Sequence, residues 1–266
     1  MMIVFEGIDA SGKATQSKLM AEALGNRGRS SAIFSFPRYS SEVGGLIKKH
    51  LLGHATLVEE RHSEYGDIFH VRSKNDALAF QCFMVADKYA AAPEISRCLK
   101  VDDVDVICDR WWPSALAYGL ADGLSESLLF DVHASLPPAD LYFLLDVDPG
   151  TARTRRPDLG DRYEQDRAKQ RDVRHRYLTL WQRREKEAPG WHTIDANRTT
   201  DKVHASCMAI VEQHLAESKL KHAKLAVEER KLVDLGYLDL RSTTVHDLSK
   251  PVVSGGPGKV TFPEKK

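Results

Sequence analysis

Two kinds of segment take turns along the chain. Short apolar runs recur at 3–6, 31–36, 104–109, 141–146 and 192–195, while apolar residues at helical spacing mark 13–27, 42–52, 76–99, 113–135, 164–187 and 199–216. The short runs do not alternate apolar with polar, which predicts strands buried on both faces. Such strands separated by helices predict an α/β fold, with a doubly wound five-stranded parallel sheet covered by helices on both faces. Ligands of such sheets bind outside the carboxyl ends of the strands. The pattern lapses after residue 215. A charged, potentially helical run at 217–231 is followed by Ser249-Lys250-Pro251-Val252-Val253-Ser254-Gly255-Gly256-Pro257-Gly258, which is rich in breakers. The expected organisation is a domain over 1–215 and a charged, partly irregular C-terminal extension over 216–266, with no internal repeat.

Composition narrows this picture. The 266 residues suffice for one large α/β domain or two small ones. With 38 basic and 38 acidic side chains the formal net charge is +0, which argues against a general binder of nucleic acid or membrane surfaces. No apolar run reaches membrane-spanning length and no leader pattern opens the chain, so the expected compartment is the cytoplasm. Cys82, Cys98, Cys108 and Cys207 lack metal-ligand spacing, and each lies in an apolar pattern, so buried free thiols are expected.

The first apolar run leads into Gly7-Ile8-Asp9-Ala10-Ser11-Gly12-Lys13-Ala14-Thr15. A strand, a glycine loop and a helix start in this order form a phosphate-binding P-loop. Gly7 and Gly12 let the backbone curl so that successive N–H groups face phosphate oxygens, and Lys13 adds a full positive charge at the helix N-terminus. The usual hydroxyl residue after the lysine is replaced by Ala14.

Other charged groups fall at strand ends. Asp109 and Arg110 follow the third run, in the motif Asp109-Arg110-Trp111-Trp112-Pro113-Ser114. An aspartate there can hold Mg²⁺, and an adjacent arginine can clamp a phosphate. The competing reading is a surface ion pair. Phe36-Pro37-Arg38-Tyr39 ends the second run, where Arg38 and Tyr39 are expected to reach the same crevice, or else to form a solvated turn. Arg153, Arg155 and Arg156 open an arginine cluster in a Pro- and Gly-containing stretch through Glu164. Such a flap, about 152–164, can close over a nucleotide and neutralise transition-state charge. A solvated helix end is the alternative. Met84 sits on the long helical pattern as either core or base-pocket lining.

Taken together, Phe5-Glu6-Gly7-Ile8-Asp9, Phe36-Pro37-Arg38-Tyr39, Asp109-Arg110 with Ser114 and Tyr118, Leu145-Asp146-Val147 and Asp161-Arg162-Tyr163-Glu164 resemble the thymidylate kinases from residue 1 to about 215. The resemblance implies a P-loop kinase with a mobile lid that phosphorylates dTMP with ATP and Mg²⁺ in dTTP biosynthesis, commonly as a homodimer. It implies that Gly7, Asp9, Ala10, Ser11, Gly12, Lys13, Ala14 and Thr15 hold ATP. Asp9, Phe36, Arg38, Tyr39, Met84, Lys88, Arg110, Ser114, Tyr118 and Tyr163 would surround dTMP, with Asp9 meeting the 3′-hydroxyl and Tyr118 crowding the 2′ position. Asp9 and Asp109 are the implied metal residues. The P-loop offers no arginine, so the catalytic one would come from Arg153, Arg155 or Arg156, beside Lys13 and Arg110. The departures concern the metal and the base. Met84 stands where the family has an aromatic residue, Lys88 where it has an arginine, and Ala115 where some relatives carry a polar side chain. Kinases of other deoxynucleoside monophosphates, and a nucleotide-binding protein without turnover, therefore remain as alternatives.

Overall fold

The computed structural model describes residues 1–51, 74–101, 104–156 and 166–234. Five strands, β1 (Met2–Glu6), β2 (Ser30–Ser35), β3 (Val104–Asp109), β4 (Leu141–Asp146) and β5 (Trp191–Asp195), form one sheet in the order β2-β3-β1-β4-β5. Every pairing is parallel. Expected and observed strands agree within a residue at each end. Around them lie α1 (Lys13–Gly25), α2 (Glu42–Leu51), α3 (Lys74–Cys98), α4 (Trp112–Ala121), α5 (Glu126–Asp131), α6 (Pro149–Arg155), α7 (Arg167–Glu187) and α8 (Thr200–Asp234).

The central strands β1 and β4 are buried along almost their whole length, as apolar runs in a covered parallel sheet should be. The edges differ from expectation. In β2 only Phe34 is buried, because the strand is rich in serine and has a neighbour on one side only. The helix expected over 113–135 is two helices, broken at Asp122-Gly123-Leu124-Ser125, a run of turn formers. The short α6 begins at Asp148-Pro149, where the Asp148 side chain accepts from Gly150 N–H at 2.8 Å and proline fills the first helical position.

Strand register determines what meets at the carboxyl edge. Phe5 pairs with Asp109 and with Phe143, and Ser35 pairs with Asp109, so four strands reach the same level. Arg110 N–H then donates to Phe5 O at 2.9 Å, which brings the residues after β3 beside the loop after β1. An aromatic cluster supports this edge from one side. Tyr142 stacks on Trp191 with centroids 4.2 Å apart, and Trp181 meets Trp191 edge-on at 4.7 Å. The cluster pins α7 against the sheet and positions Tyr177 and Gln170 one and three turns before Trp181.

The chain divides into two compact units, Met1–Gln213 and His214–Lys266. Within the described residues of the second, 214–234, the chain is helical, and it exposes Leu220, Leu225 and Val227, while the breaker-rich stretch after Ser249 lies outside the described residues. Cys108 and Cys207 are buried free thiols, but Cys98 is half-buried and Cys82 is exposed on the solvent side of α3.

Candidate active site

The loop after β1 is held by close backbone approach. A Cβ on Gly7, whose φ is +143°, would lie 2.7 Å from Leu145 O. Gly12 caps α1 with φ at +102°, a conformation that turns the loop into the helix without a side-chain cap. Lys13 is the first helical residue and only 7 % exposed. Its ammonium donates to Ile8 O at 2.9 Å and Ser11 Oγ at 3.4 Å. Burial lowers its pKa to about 8, with the nearby Arg110 charge adding to the drop and Asp109, Asp9 and Glu6 opposing it. Residues 9–16 line a wide cleft together with Arg155, Arg156, Ala196, Arg198, Thr199 and Thr200. Ala14 and Thr15 both face this cleft and are exposed.

Asp9 and Arg110 meet at the centre of the carboxyl edge. Arg110 Nη2 donates to Asp9 Oδ1 at 2.5 Å, and Tyr118 Oη and Gln170 Nε2 each donate to Asp9 Oδ2 at 3.0 Å. Although burial works against its ionisation, Arg110 and Lys13 hold the Asp9 carboxyl below its ordinary range. Arg110 Nη1 also donates to Gly7 O at 3.0 Å and Ser114 Oγ at 3.2 Å. Arg110 takes a positive φ of 69°, which turns its side chain back across the end of β1.

Beneath this pair lies Glu6, wholly buried. It accepts Trp111 N–H at 2.7 Å, Ser114 Oγ–H at 2.5 Å and Tyr177 Oη–H at 2.9 Å. Desolvation raises its pKa, against the pull of these donors and of Arg110. Glu6 thus fixes the turn after β3, and with it the origin of the Arg110 side chain.

A second, smaller cavity opens beside the first and is lined by Leu51, Phe80, Gln81, Met84, Ala115, Ser114 and Tyr118, with Asp9, Arg110, Pro37 and Tyr39 shared with the P-loop cleft. Phe36 packs on Trp111 at 5.0 Å and lines the cleft side. Two expected lining residues point elsewhere. Arg38 folds onto α3, where its Nε donates to Asp87 Oδ1 and its Nη2 to Asp87 O, each at 3.0 Å, because Asp87 is a buried carboxylate that needs a cation. Lys88 is 1 % exposed and donates to Met84 O at 3.1 Å, within its own helix. Its pKa falls to about 8 through burial, with Glu6 and Asp87 opposing.

The arginines at the start of the expected lid divide their places. Arg155 lines the cleft and donates to Ala196 O at 2.6 Å. Arg153 lines a separate small cavity with Asp9, Ala10, Arg167 and Gln170, and Arg156 lines both. Tyr163 lies outside the described residues, as does the rest of 157–165. Gln170, Arg167, Tyr177 and Gln81 are additions to the residues expected from sequence. The usable signal for Gln170 was a polar residue in register with Val173, Tyr177, Leu180 and Trp181 on the buried stripe of α7.

Among the described residues the cleft offers a divalent cation two carboxylates, Asp109 and Asp9, the latter already accepting from Arg110, Tyr118 and Gln170. One or two carboxylates with water and phosphate oxygens match how Mg²⁺ is held, so these residues fit that ion.

Residues 5–207 match the family model described as thymidylate kinase. A probable thymidylate kinase of Pyrococcus horikoshii is 32% identical over 215 residues, covering 80% of this chain and 96% of that protein. A thymidylate kinase of Danio rerio is 29% identical over 204 residues, covering 76% and 85%. The solved thymidylate kinase of Candida albicans matches the fold with a TM-score of 0.63 at 23% identity, over 80% of this chain and 91% of that one. The family match spans well over half of the sequence and starts at the strand that carries the P-loop, and the chain belongs to the thymidylate kinase family.

Proposed function

We propose that this chain transfers the γ-phosphoryl group of ATP to the phosphate of dTMP, giving ADP and dTDP by direct in-line displacement. The observation that carries this reading is the meeting of two cavities at one ion pair. The P-loop cleft and the smaller cavity share Asp9, Arg110, Pro37 and Tyr39. A nucleotide in each places donor and acceptor phosphates together where Arg110 stands.

In this reading Gly7, Asp9, Ala10, Ser11, Gly12, Ala14 and Thr15 wrap the ATP phosphates and Lys13 neutralises them. Arg110 holds the acceptor phosphate, and Tyr118 and Asp9 face its sugar. Ser114, Phe36, Tyr39 and Met84 shape the acceptor side. Asp109 would hold Mg²⁺, through water or directly, and the bound ion would supply charge neutralisation at the phosphates. The acceptor phosphate is already an anion at neutral pH, so no strong general base is needed. The protein supplies position and electrostatic stabilisation. A lid arginine among Arg153, Arg155 and Arg156 completes the charge around the transferred group.

The homodimer expected of the family has one supporting feature. Leu78, Cys82 and Tyr89 are exposed along a single face of α3, an apolar stripe that a second copy can cover. Light scattering after size exclusion measures this directly.

A kinase of another deoxynucleoside monophosphate is the second reading, favoured by Lys88 bonding its own helix and by the apolar Ala115. A coupled ADP-release assay with ATP, Mg²⁺ and each of dTMP, dUMP, dGMP, dCMP and dAMP decides between them. Preference for dTMP supports the first reading, preference for another base moves the substrate, and absence of turnover with all five overturns both.

A further inference from the structure

Of the side chains around the acceptor cavity, Gln81 has polar capacity that the protein does not use. It is 2 % exposed and lines the cavity from α3, yet its Oε1 is buried with no hydrogen-bond partner among the described residues. The polar groups at the sugar and phosphate side are bonded to one another, through Arg110, Asp9, Tyr118 and Ser114. Around Gln81 the lining is apolar, with Leu51, Phe80, Met84 and Ala115. Leu51 and Phe80 belong to a packed cluster with Ile47 that fixes this wall. A buried amide oxygen left unpaired is costly, and ligand sites are where such groups recur.

We infer that Gln81 reads the base of the acceptor, its Oε1 accepting the N3–H of thymine and its Nε2–H₂ donating to the adjoining ring carbonyl. The inference rests on the proposed dTMP kinase activity. A glycosylated thymine carries one ring N–H, flanked by carbonyls, and a carboxamide offers the complementary acceptor and donor in one plane. The apolar remainder of the wall suits the ring face and the 5-methyl group. Gln81, Met84 and Lys88 share one strip of α3, at spacings of three and four residues, so base recognition passes from the inward-turned Lys88 to Gln81 about two turns earlier.

The test is a cycle between protein and substrate. Wild type and Gln81→Leu are each assayed with dTMP and with its 3-deaza analogue, which replaces N3–H by C–H. In wild type the analogue should have a KM about 10- to 100-fold above that of dTMP, the range for losing one or two hydrogen bonds in a buried site. Gln81→Leu should raise the dTMP KM by a similar factor with a much smaller loss in kcat. It should also abolish the difference between dTMP and analogue. Its melting temperature should be unchanged or higher, since an apolar side chain replaces an unpaired amide, whereas a structural role lowers it. Equal KM values for dTMP and analogue in wild type overturn the inference without needing the variant, as does an analogue penalty that survives Gln81→Leu. If wild type prefers another base, the dTMP reading fails by itself. Gln81→Leu assayed on that base then decides whether Gln81 reads it, an unchanged KM overturning the inference. Wild type that neither binds nor turns over any nucleotide overturns both.

Discussion

The pKa of Lys13 makes ATP affinity depend on pH in a range where an ordinary lysine is inert. Burial and the Arg110 charge bring it from 10.5 to about 8, against the pull of Asp109, Asp9 and Glu6. The free protein then carries the charge on about nine-tenths of molecules at pH 7 and on about one-tenth at pH 9. The phosphates of ATP need that charge, so affinity is full below pH 8 and is lost as pH rises through it. Between pH 7 and pH 9 the apparent Kd for ATP should rise about tenfold, or about 1.4 kcal/mol. Binding at pH 8 should take up about half a proton, because bound phosphate restores the charge. Calorimetry with saturating Mg²⁺, in two buffers of different ionisation heat, reads both quantities. Lys88 also titrates near 8 but does not line the cleft, so Lys13→Arg is the control and should bind ATP with a flat pH profile. An affinity constant from pH 7 to 9 with no proton uptake in wild type refutes the electrostatic description of this loop. A wild-type slope that persists in Lys13→Arg moves it to another group.

Three further outcomes follow from the same geometry. Gly7→Ala, forced to φ +143° with Cβ 2.7 Å from Leu145 O, should lose about 2–4 kcal/mol in urea unfolding; a loss within 0.5 kcal/mol contradicts the close approach. Ala14→Ser adds an exposed hydroxyl facing the cleft and should lower the Mg²⁺ concentration for half-maximal rate several-fold; an unchanged requirement places the ion away from this helix turn. Neutralising Arg153, Arg155 and Arg156 together should reduce kcat by about 100-fold or more while weakening ATP binding far less; intact kcat assigns the catalytic cation elsewhere, with Arg167 the next candidate.

The sheet was legible because its central strands are continuous apolar runs, which only a covered parallel sheet accommodates. Its edges were less so. Ser30-Ser31-Ala32-Ile33-Phe34-Ser35 reads as a strand, but its exposure follows from lying at position one of the sheet, a tertiary fact. Gly7, Lys13 and Arg110 were readable because their spacing from strand ends fixes their location. The direction of Arg38 was not, because it depends on Asp87, a carboxylate 49 positions away on α3. The direction of Lys88 was hidden for a related reason. Its ammonium donates to the i−4 carbonyl of Met84, a local choice that helical register alone does not reveal. Gln81 went unread because a glutamine among apolar residues of a long helix carries no mark until its surroundings show that its oxygen has no partner among the described residues.

The two kinds of partner held by the cations here explain how one arrangement can serve folding and phosphate binding together. Lys13 donates to Ile8 O, Arg155 to Ala196 O and one side of Arg110 to Gly7 O, all neutral carbonyl oxygens. A charged phosphate oxygen forms a bond roughly twice as strong as a neutral acceptor does, so exchanging these partners for substrate is favourable. The Arg110–Asp9 pair differs, since phosphate there must displace or share with a carboxylate. Tyr118 and Gln170 hold Asp9 from the other side, so in the proposed transfer Asp9 would stay solvated by protein donors as Arg110 turns to the acceptor. Below them Glu6 holds the Arg110 backbone through Trp111 N–H, which leaves the guanidinium free to exchange partners in that transfer. The fixed backbone and exchangeable side-chain ends are what positioning catalysis requires, because reorganisation is confined to hydrogen bonds at the tips of rigid elements.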